Sequence, residues 1–283
     1  MINVLFPSDY FDQNRPDDNF ILEYRAASEN HIHTLLFSYD TFLENGKLQL
    51  KGDTSLDCPV IYRGWMLKPE KYVELYHQLQ NMDLQLITSP QEYKKMHSFP
   101  DIYPELAVDT APMIVYDDPE KIDYEQIRKT FRKCMVKDFV KSVKGTDFPK
   151  CINTDIGEEE FRKLIRQFLS YRGELYTGGI CIKEFLELKR YGERTNEYRV
   201  FYCNHQAITI SRNSGQPDYL PEPPKALVTK YSSLNSPFYT VDYAETADES
   251  WKIIEAGDGQ VSGLSDFQDE VSFYRKLSLI FGS

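Results

Sequence analysis

The stretch FYTVDYAETADESWKIIEAGDGQVSG, residues 238–263, decides the fold class of this 283-residue chain. Two runs of aromatic and β-branched residues flank the polar segment ETADES, and this pattern predicts a β-hairpin. A turn in the middle of ETADES puts Asp242 and Glu255 on one face, as diagonal neighbours about 7–8 Å apart. Asp258 lies just beyond the second strand. Because Mg²⁺ takes one or two carboxylates together with substrate phosphates, the hairpin is a candidate metal site; the alternative is a solvated hairpin with acids outside.

The composition limits which functions the chain can have. The hydrophobic fraction is 41% and the aromatic fraction is 14%, which suffices for a sizeable core in two domains or one large domain. Acidic residues outnumber basic residues by 44 to 33, and the formal net charge is −11. Such a surface disfavours contact with the phosphate backbone of nucleic acids, so we expect no nucleic-acid partner.

The cysteines and the apolar runs indicate the compartment. Five cysteines are scattered along the chain without a CxxC pair, which argues against a zinc knuckle or a disulfide framework. No apolar run approaches the length of a membrane span, and MINVLFPSDY lacks the features of a signal peptide. We therefore expect a cytoplasmic protein with no membrane partner.

The N-terminal part alternates strand and helix patterns. The strand patterns are INVLFP, HTLLFSYD, PVIYRGW and LQLITS, and the helix patterns are FILEYRAASEN, KPEKYVELYHQLQNM and PQEYKKMHSF. This alternation predicts a parallel, doubly wound α/β sheet, in which ligands bind beyond the carboxyl ends of the strands. Arg63 and Trp65 follow such an end and are candidate substrate residues, with a surface salt bridge as the alternative for Arg63. The absence of GxGxxG and Walker-type loops disfavours an ordinary dinucleotide fold and a P-loop enzyme.

The rest of the chain has a different organisation. Its strand patterns are PMIVYDD, KCMVKDFV, GGICIKEF and NEYRVFYCNHQAITISRN, the last being a hairpin that turns at Asn204 and His205. Its helix patterns are YEQIRKTFRK, EEEFRKLIRQFLSYR and PPKALVTKYSSL. Mixed, largely antiparallel strands with flanking helices predict an α+β fold. The change of pattern at PELAVDTAP, residues 104–112, predicts a domain boundary.

Three cations lie inside strand patterns, namely Lys137, Lys183 and Arg199. A cation that faces the interior needs an anionic partner. The acids next to these cations in sequence point to the opposite face of each strand and are poorly placed to pair with them. A protein carboxylate from elsewhere is one candidate partner, and a bound polyphosphate is the other.

The order of these features resembles the ATP-grasp superfamily along essentially the whole chain. The segments FPSDYF, VIYRGWMLKPEKY, VKDFVKSVKG, EYRVF and EAGDGQVSGL are further similar to a small bacterial and phage clade of that superfamily, of the family-three type, named for shared arginine and lysine positions. The resemblance implies a fold of α/β plus α+β type. Residues 1–108 would be a Rossmann-like pre-ATP-grasp domain, and residues 109–283 an ATP-grasp domain with lobes 109–182 and 183–283.

The resemblance also implies roles for individual residues. VKDFVKSVKG looks like the strand lysine and phosphate-covering loop of the family, CIKEFLEL like its adenine-reading connection, and Glu197 follows as a ribose ligand. The implied ATP-binding residues are Lys137, Lys141, Ser142, Lys183, Glu184, Phe185, Leu186 and Glu197. IIEAGDG resembles the Glu-x-Asn metal motif of the family, except that Gly257 occupies the Asn position. We predict that Asp258 replaces this Asn, so that Asp242, Glu255 and Asp258 hold Mg²⁺.

The function implied by the resemblance is an ATP-dependent carboxylate–amine ligase. Arg199 and Arg212 would act on the transferring phosphoryl group, and Arg63 and Trp65 would contact a small carboxylate, amine or peptide substrate. For Arg212 an ordinary loop arginine is the alternative. The segment EYRVFYCNHQAITISR is also similar to a eukaryotic ATP-grasp-like factor that assembles a translation-initiation complex. An ATP-binding assembly factor with a protein partner and little turnover, or a kinase, therefore remains open.

Overall fold

The computed structural model describes residues 1–55, 58–215 and 220–282, and its N-terminal part is built on a four-stranded sheet. In the order β3-β2-β1-β4, β1 pairs in parallel with β2 and β4, and β3 pairs with β2 in an antiparallel manner. The predicted parallel sheet is confirmed, with one short antiparallel edge. The strands are β1 (Asn3–Pro7), β2 (His33–Phe37), β3 (Leu50–Lys51) and β4 (Val60–Tyr62).

The strand predicted for LQLITS is wrong. Within this segment only Leu86 makes an isolated parallel bridge, to Val60. Asp83 precedes the segment with a φ of 59°, and Ser89 follows it as the N-cap of a helix that has a complete capping box with Glu92. These two ends leave room for only a short extended contact, although Leu84 and Leu86 are buried as the pattern requires.

Five helices accompany the N-terminal sheet. They are α1 (Ile21–Glu29), α2 (Tyr39–Asn45), α3 (Pro69–Gln80), α4 (Pro90–His97) and α5 (Phe99–Leu106). Pro69 begins α3, as its sequence predicts, because proline fits the first turn of a helix. Helices α4 and α5 lie away from this sheet and pack on the C-terminal hairpin, where Met96, Phe99 and Ile102 join its core.

A second sheet has the order β5-β8-β6-β7, and all its pairs are antiparallel. Its strands are β5 (Met113–Tyr116), β6 (Lys133–Asp138), β7 (Ile152–Asn153) and β8 (Ile180–Glu184), and its helices are α6 (Tyr124–Thr130) and α7 (Glu158–Arg172). Helix α7 has the predicted extent and buries Phe161, Ile165 and Phe168 on one face. The segment between β6 and β7 is the lysine-rich loop.

A third sheet has the order β12-β11-β13-β14 and carries the acidic hairpin. Its strands are β11 (Glu197–Cys203), β12 (Gln206–Arg212), β13 (Phe238–Glu245) and β14 (Trp251–Asp258); β9 (Arg190–Tyr191) and β10 (Arg194–Thr195) form a separate small pair. Asn204 and His205 make the predicted turn, with φ of 44° and 63°. Helix α8 (Lys225–Lys230) precedes the hairpin, and α9 (Glu270–Ile280) follows it.

The predicted diagonal arrangement of Asp242 and Glu255 is wrong, because the two residues are direct register partners. A β-bulge between Asp242 and Tyr243 leaves Ile254 without a partner in the register. This one extra residue shifts the pairing and brings the two carboxylates opposite each other.

The C-terminal helix ties the third sheet to the N-terminal sheet. Phe273, Tyr274 and Leu277 of α9 share one buried cluster with Val4 and Phe6 of β1. Phe201 and Phe238 of the third sheet belong to the same cluster. The N-terminal sheet therefore packs beside the hairpin that carries the acids. Within the described residues, none of the helices combines the length and the apolarity that crossing a bilayer requires.

Candidate active site

A row of charged side chains crosses three neighbouring strands of the third sheet. Arg199 on β11 is opposite Asp242 on β13, and Asp242 is opposite Glu255 on β14. The Arg199 guanidinium donates two hydrogen bonds to the Asp242 carboxylate, at 2.8 and 2.7 Å, and a third to the Gly263 carbonyl at 3.0 Å. The structure thus brings these three predicted residues together, and it gives Asp242 a protein partner.

Two buried lysines from the second sheet lie beside this row. Lys137 is 6% exposed and Lys183 is 3% exposed. Their ammonium groups lie 4.5 and 4.3 Å from the centre of the Phe99 ring, an arrangement in which the ring face attracts both cations. Lys137 Nζ is 3.5 Å from Glu255 Oε1, and Lys183 Nζ donates to the carbonyl of the bulge residue Ile254 at 3.0 Å.

Charge balance is unequal at this place, as the pKa values reflect. Burial lowers the pKa of the Lys183 ammonium to about 7, and the nearby charge of Lys137 lowers it further. Burial alone would raise the pKa of the Glu255 carboxyl, but its pKa is lowered overall because four cations surround it: Lys137, Lys141, Lys144 and Arg199. A single carboxylate therefore faces several cations.

A cavity of about 270 Å³ opens next to the two lysines. Six of the predicted nucleotide residues line it, and these are Lys137, Ser142, Lys183, Glu184, Phe185 and Leu186. The Phe185 N–H donates to the Lys133 carbonyl, whereas neither the N–H nor the C=O of Leu186 bonds to a described residue. A free donor and a free acceptor on one backbone unit are suited to the edge of a planar heterocycle.

Two predicted residues lie outside this cavity. Glu197 accepts a hydrogen bond from the hydroxyl of Thr195, which itself lines the cavity wall. The Arg212 guanidinium lies 4.1 Å from the centre of the Phe267 ring at the far edge of the third sheet. The contact of Glu197 with ribose and the catalytic role of Arg212 stay predictions.

A smaller cavity of about 100 Å³ continues from the first, and Glu255 lines both. Lys141, Arg199, Asp242 and Asp258 also line this second cavity. The ammonium of Lys141 has no hydrogen bond or ion pair with any described residue. Lys141 therefore offers the second cavity a cation whose charge is not already paired.

Asp258 has surroundings that differ from those of Asp242 and Glu255. Three positions beyond Glu255 on an extended strand, it belongs to the opposite face. It is 1% exposed, its Oδ1 accepts from the Gln260 N–H at 2.9 Å, and its Oδ2 has no partner among the described residues. Burial raises the pKa of this carboxyl to about 7. The predicted metal role of Asp258 thus stays a prediction, and the hydrogen bonds around it are those of a buried network.

The metal prediction rests on Asp242 and Glu255. No group of three or more His, Cys, Asp or Glu residues in the described part of the chain is arranged to hold a metal ion. Two facing carboxylates beside a phosphate-sized cavity nevertheless fit Mg²⁺, because this ion takes one or two carboxylates and fills its other positions with phosphate and water oxygens. Thr240 and Ser262, whose hydroxyls lie 2.9 Å apart, stand beside Gly257 on the same cavity wall.

A third cavity, of about 560 Å³, contains both predicted substrate residues, Arg63 and Trp65, in its wall. Arg63 is 1% exposed, and its guanidinium makes two hydrogen bonds to the Glu23 carboxylate at 2.9 and 2.8 Å. It also donates to the carbonyls of Gly259 and Ser262. Because these partners occupy its donors, Arg63 is placed to hold the chain after β14; a direct substrate contact stays a prediction.

Sequence reasoning missed two residues that shape the site. Phe99 carries both buried lysines on its ring, and Glu23 neutralises Arg63. Phe99 is one aromatic residue among 17 phenylalanines, and Glu23 is 40 positions away from Arg63. No local pattern marks either residue, since only the packing of distant segments brings them to their partners.

Comparison with solved structures identifies the architecture. D-cycloserine synthetase DcsG is 15% identical with a TM-score of 0.59, covering 99% of this chain and 100% of that chain. The RimK domain protein ATP-grasp from Sphaerobacter thermophilus DSM 20745 is 12% identical with a TM-score of 0.62, covering 100% of both chains. The ATP-grasp ligase PsnB, complexed with minimal precursor, Mg and ADP, is 12% identical with a TM-score of 0.62, covering 99% and 96%. At such identities these likenesses establish the fold alone, which is the ATP-grasp fold.

The family follows from the sequence itself. The family model that matches is the ATP-grasp domain of family 3 in the clade named for shared arginine and lysine positions. It matches residues 113–277, which is more than half of the chain, and the chain belongs to this family. The resemblance inferred from the sequence motifs is thereby confirmed. No curated protein matches the chain.

Proposed function

We propose that this chain is an ATP-dependent carboxylate–amine ligase that forms an amide bond through an acyl phosphate. The observation that carries ATP binding is the pair of buried ammonium groups of Lys137 and Lys183, which share one ring and face one carboxylate, Glu255. Buried cations are costly unless anions compensate them. A polyphosphate supplies the missing negative charge, and the Leu186 backbone beside it suits the base.

The proposed reaction takes place in the second cavity. An oxygen of the substrate carboxylate attacks the γ-phosphorus of ATP, the bond between this phosphorus and the β,γ-bridging oxygen breaks, and ADP leaves. The amine then attacks the acyl carbon, loses a proton, and releases inorganic phosphate. Lys141 and Arg199 line the cavity and would stabilise the charge of the transferring group.

A divalent cation has a defined place in this proposal. Asp242 and Glu255 are the residues that would hold Mg²⁺, which would neutralise phosphate charge when bound. The PsnB structure with Mg and ADP supports the choice of ion for this fold. In the same proposal residues 1–108 form the pre-ATP-grasp domain and residues 109–283 the ATP-grasp domain, divided into the lobes 109–182 and 183–283.

One observation favours a second candidate, an ATP-binding assembly factor with little turnover. The Asp242 carboxylate is bound on both oxygens by Arg199, and Gly257 has no side chain that could supply a further ligand. A site with few free ligands for metal ions would bind ATP more readily than it would transfer its phosphate. This candidate would act with a protein partner instead of an amine substrate.

A screen for ADP release tests the proposal. The protein is incubated with ATP and Mg²⁺ and with pairs of amino acids, dipeptides and peptides, with N-acetylated acceptors as matched controls that lack the amine. We expect sustained ADP release that requires both a carboxylate and a free amine, and its loss in Glu255→Gln. Release that needs only the carboxylate would indicate a kinase. ATP binding without turnover across the screen would overturn the ligase in favour of the assembly factor.

A further inference from the structure

We propose that the cavity of about 560 Å³ binds an amine substrate that carries a second positive charge. This inference rests on the proposed ligase function, because it names the class of molecule that supplies the amine. It also reverses the expectation from the sequence that Arg63 receives a substrate carboxylate.

The position of the cavity suits an acceptor substrate. Its volume falls in the range of roughly 300–1,000 Å³ that small-molecule sites have. It adjoins the second cavity, because Met66, Val261, Ser262 and Gly263 line both. A molecule bound here can therefore present one end at the place where the acyl phosphate would form.

The wall of the cavity contains an aromatic pair. Trp65 is 40% exposed and packs edge-to-face against Phe20, with ring centres 5.2 Å apart. The Trp65 Nε1–H donates to Asp17 at 3.1 Å, which fixes the orientation of the indole ring. Because the face of an indole ring attracts cations, this wall favours an ammonium or guanidinium group over an anion.

The charges around the cavity have the same preference. Arg63 is neutralised by Glu23 and is fully buried, so it contributes little net positive charge. Asp266 and Glu270 also line the cavity, and neither forms an ion pair with a described residue. Two uncompensated carboxylates in an aromatic-walled cavity complement a cation.

The chemistry requires that this cation is not the attacking amine itself. The attacking nitrogen must lose its proton, whereas the acids and the Trp65 ring recognise a group that keeps its charge. Asp266 and Glu270 are not among the residues that the cavity shares with the second cavity. The substrate class is therefore a diamine, a basic amino acid or the basic side chain of a peptide.

Fluorescence of Trp65 tests this inference without nucleotide. The chain has two tryptophans, so Trp251→Phe leaves Trp65 as the single reporter. Titrations compare lysine with norleucine and putrescine with butylamine, pairs that differ by one ammonium group, and include glutarate as an anion. We expect lysine and putrescine to change the emission and to bind about tenfold more tightly than their matched partners.

Charge-removal variants complete the experiment. Asp266→Asn combined with Glu270→Gln should weaken lysine binding by about tenfold, because two charge-assisted contacts are lost. Glu44→Gln, which removes an exposed charge on α2, should leave it unchanged. Equal affinities for lysine and norleucine, tighter binding of glutarate, no emission change with any amine, or an unaffected double variant would each overturn the inference. Failure of ATP binding, measured separately, would sink only the ligase proposal.

Discussion

At the residue scale, the site is explained by how few acids face its cations. Lys137 and Lys183 were predicted from the sequence because a cation inside a strand pattern needs a partner. The structure supplies Glu255 and the ring of Phe99 as partial compensation. Neither partner could be predicted for these lysines, since both contacts join segments that only the tertiary fold brings together.

The first prediction concerns nucleotide affinity. Lys137→Ala and Lys183→Ala should each weaken ATP binding by roughly ten- to a hundred-fold, because each removes a charge-assisted hydrogen bond to phosphate. Calorimetry on the folded variants measures this change. Lys129→Ala, which removes an exposed charge on α6, is the matched control and should bind ATP normally. Unchanged affinity in both buried-lysine variants would show that these lysines do not contact the nucleotide.

The second prediction concerns pH. The pKa of Lys183 is lowered from 10.5 to about 7, so between these pH values the unfolded chain carries a proton that the folded chain lacks. The free energy of unfolding should therefore rise as pH increases through this window, and this contribution is lost as pH falls towards 7. Bound phosphate favours the ammonium form, so ATP binding near pH 8.5 should take up about one proton.

Calorimetry in buffers of different ionisation enthalpy measures this proton uptake. Lys183→Met keeps the length of the side chain and removes its charge, and it should abolish the uptake. If wild type and Lys183→Met took up the same number of protons, another group would be responsible and the assignment to Lys183 would fail.

At the element scale, regular patterns were predictable and their irregularities were not. Helix α7 and the turn at Asn204 followed from apolar spacing and turn residues. The bulge at Ile254 did not, because every residue of β13 is buried and its pattern has no period that could fix the register. This bulge matters for the site, since it aligns Asp242 with Glu255 and its carbonyl receives the Lys183 ammonium.

The third prediction concerns the loop between β6 and β7. Lys141, Lys144, Gly145, Thr146 and Asp147 are exposed in the structure, and the loop has little apolar area to hold it in place. Its amide hydrogens from residue 141 to 147 should exchange rapidly without nucleotide and slow by at least about tenfold with a non-hydrolysable ATP analogue. Hydrogen exchange followed by mass spectrometry measures this, with helix α7 as an internal reference. Equal exchange in both states would contradict a covering role.

At the scale of the whole molecule, Arg63 joins the N-terminal sheet to the active site. Its guanidinium binds Glu23 of α1 and the carbonyls of Gly259 and Ser262, and the next carbonyl, that of Gly263, accepts from Arg199. The sequence marked Arg63 as important but gave it the wrong emphasis, because a motif shows that a residue has a role and cannot show which distant groups surround it. Its contacts make it a structural connection between the two parts of the chain.

The last prediction tests this connection. Arg63→Met leaves the Glu23 carboxylate buried without its cation and should lower the free energy of unfolding by about 3–5 kcal/mol. Arg63→Met combined with Glu23→Gln removes both charges and should recover part of this loss, because no unpaired charge is then buried. Arg128→Met, which breaks an exposed pair with Glu125, is the control and should cost less than about 1 kcal/mol. Urea unfolding measures all three variants. If the double variant were no more stable than Arg63→Met, the contacts of Arg63 with the two carbonyls, and not its pairing with Glu23, would dominate the connection.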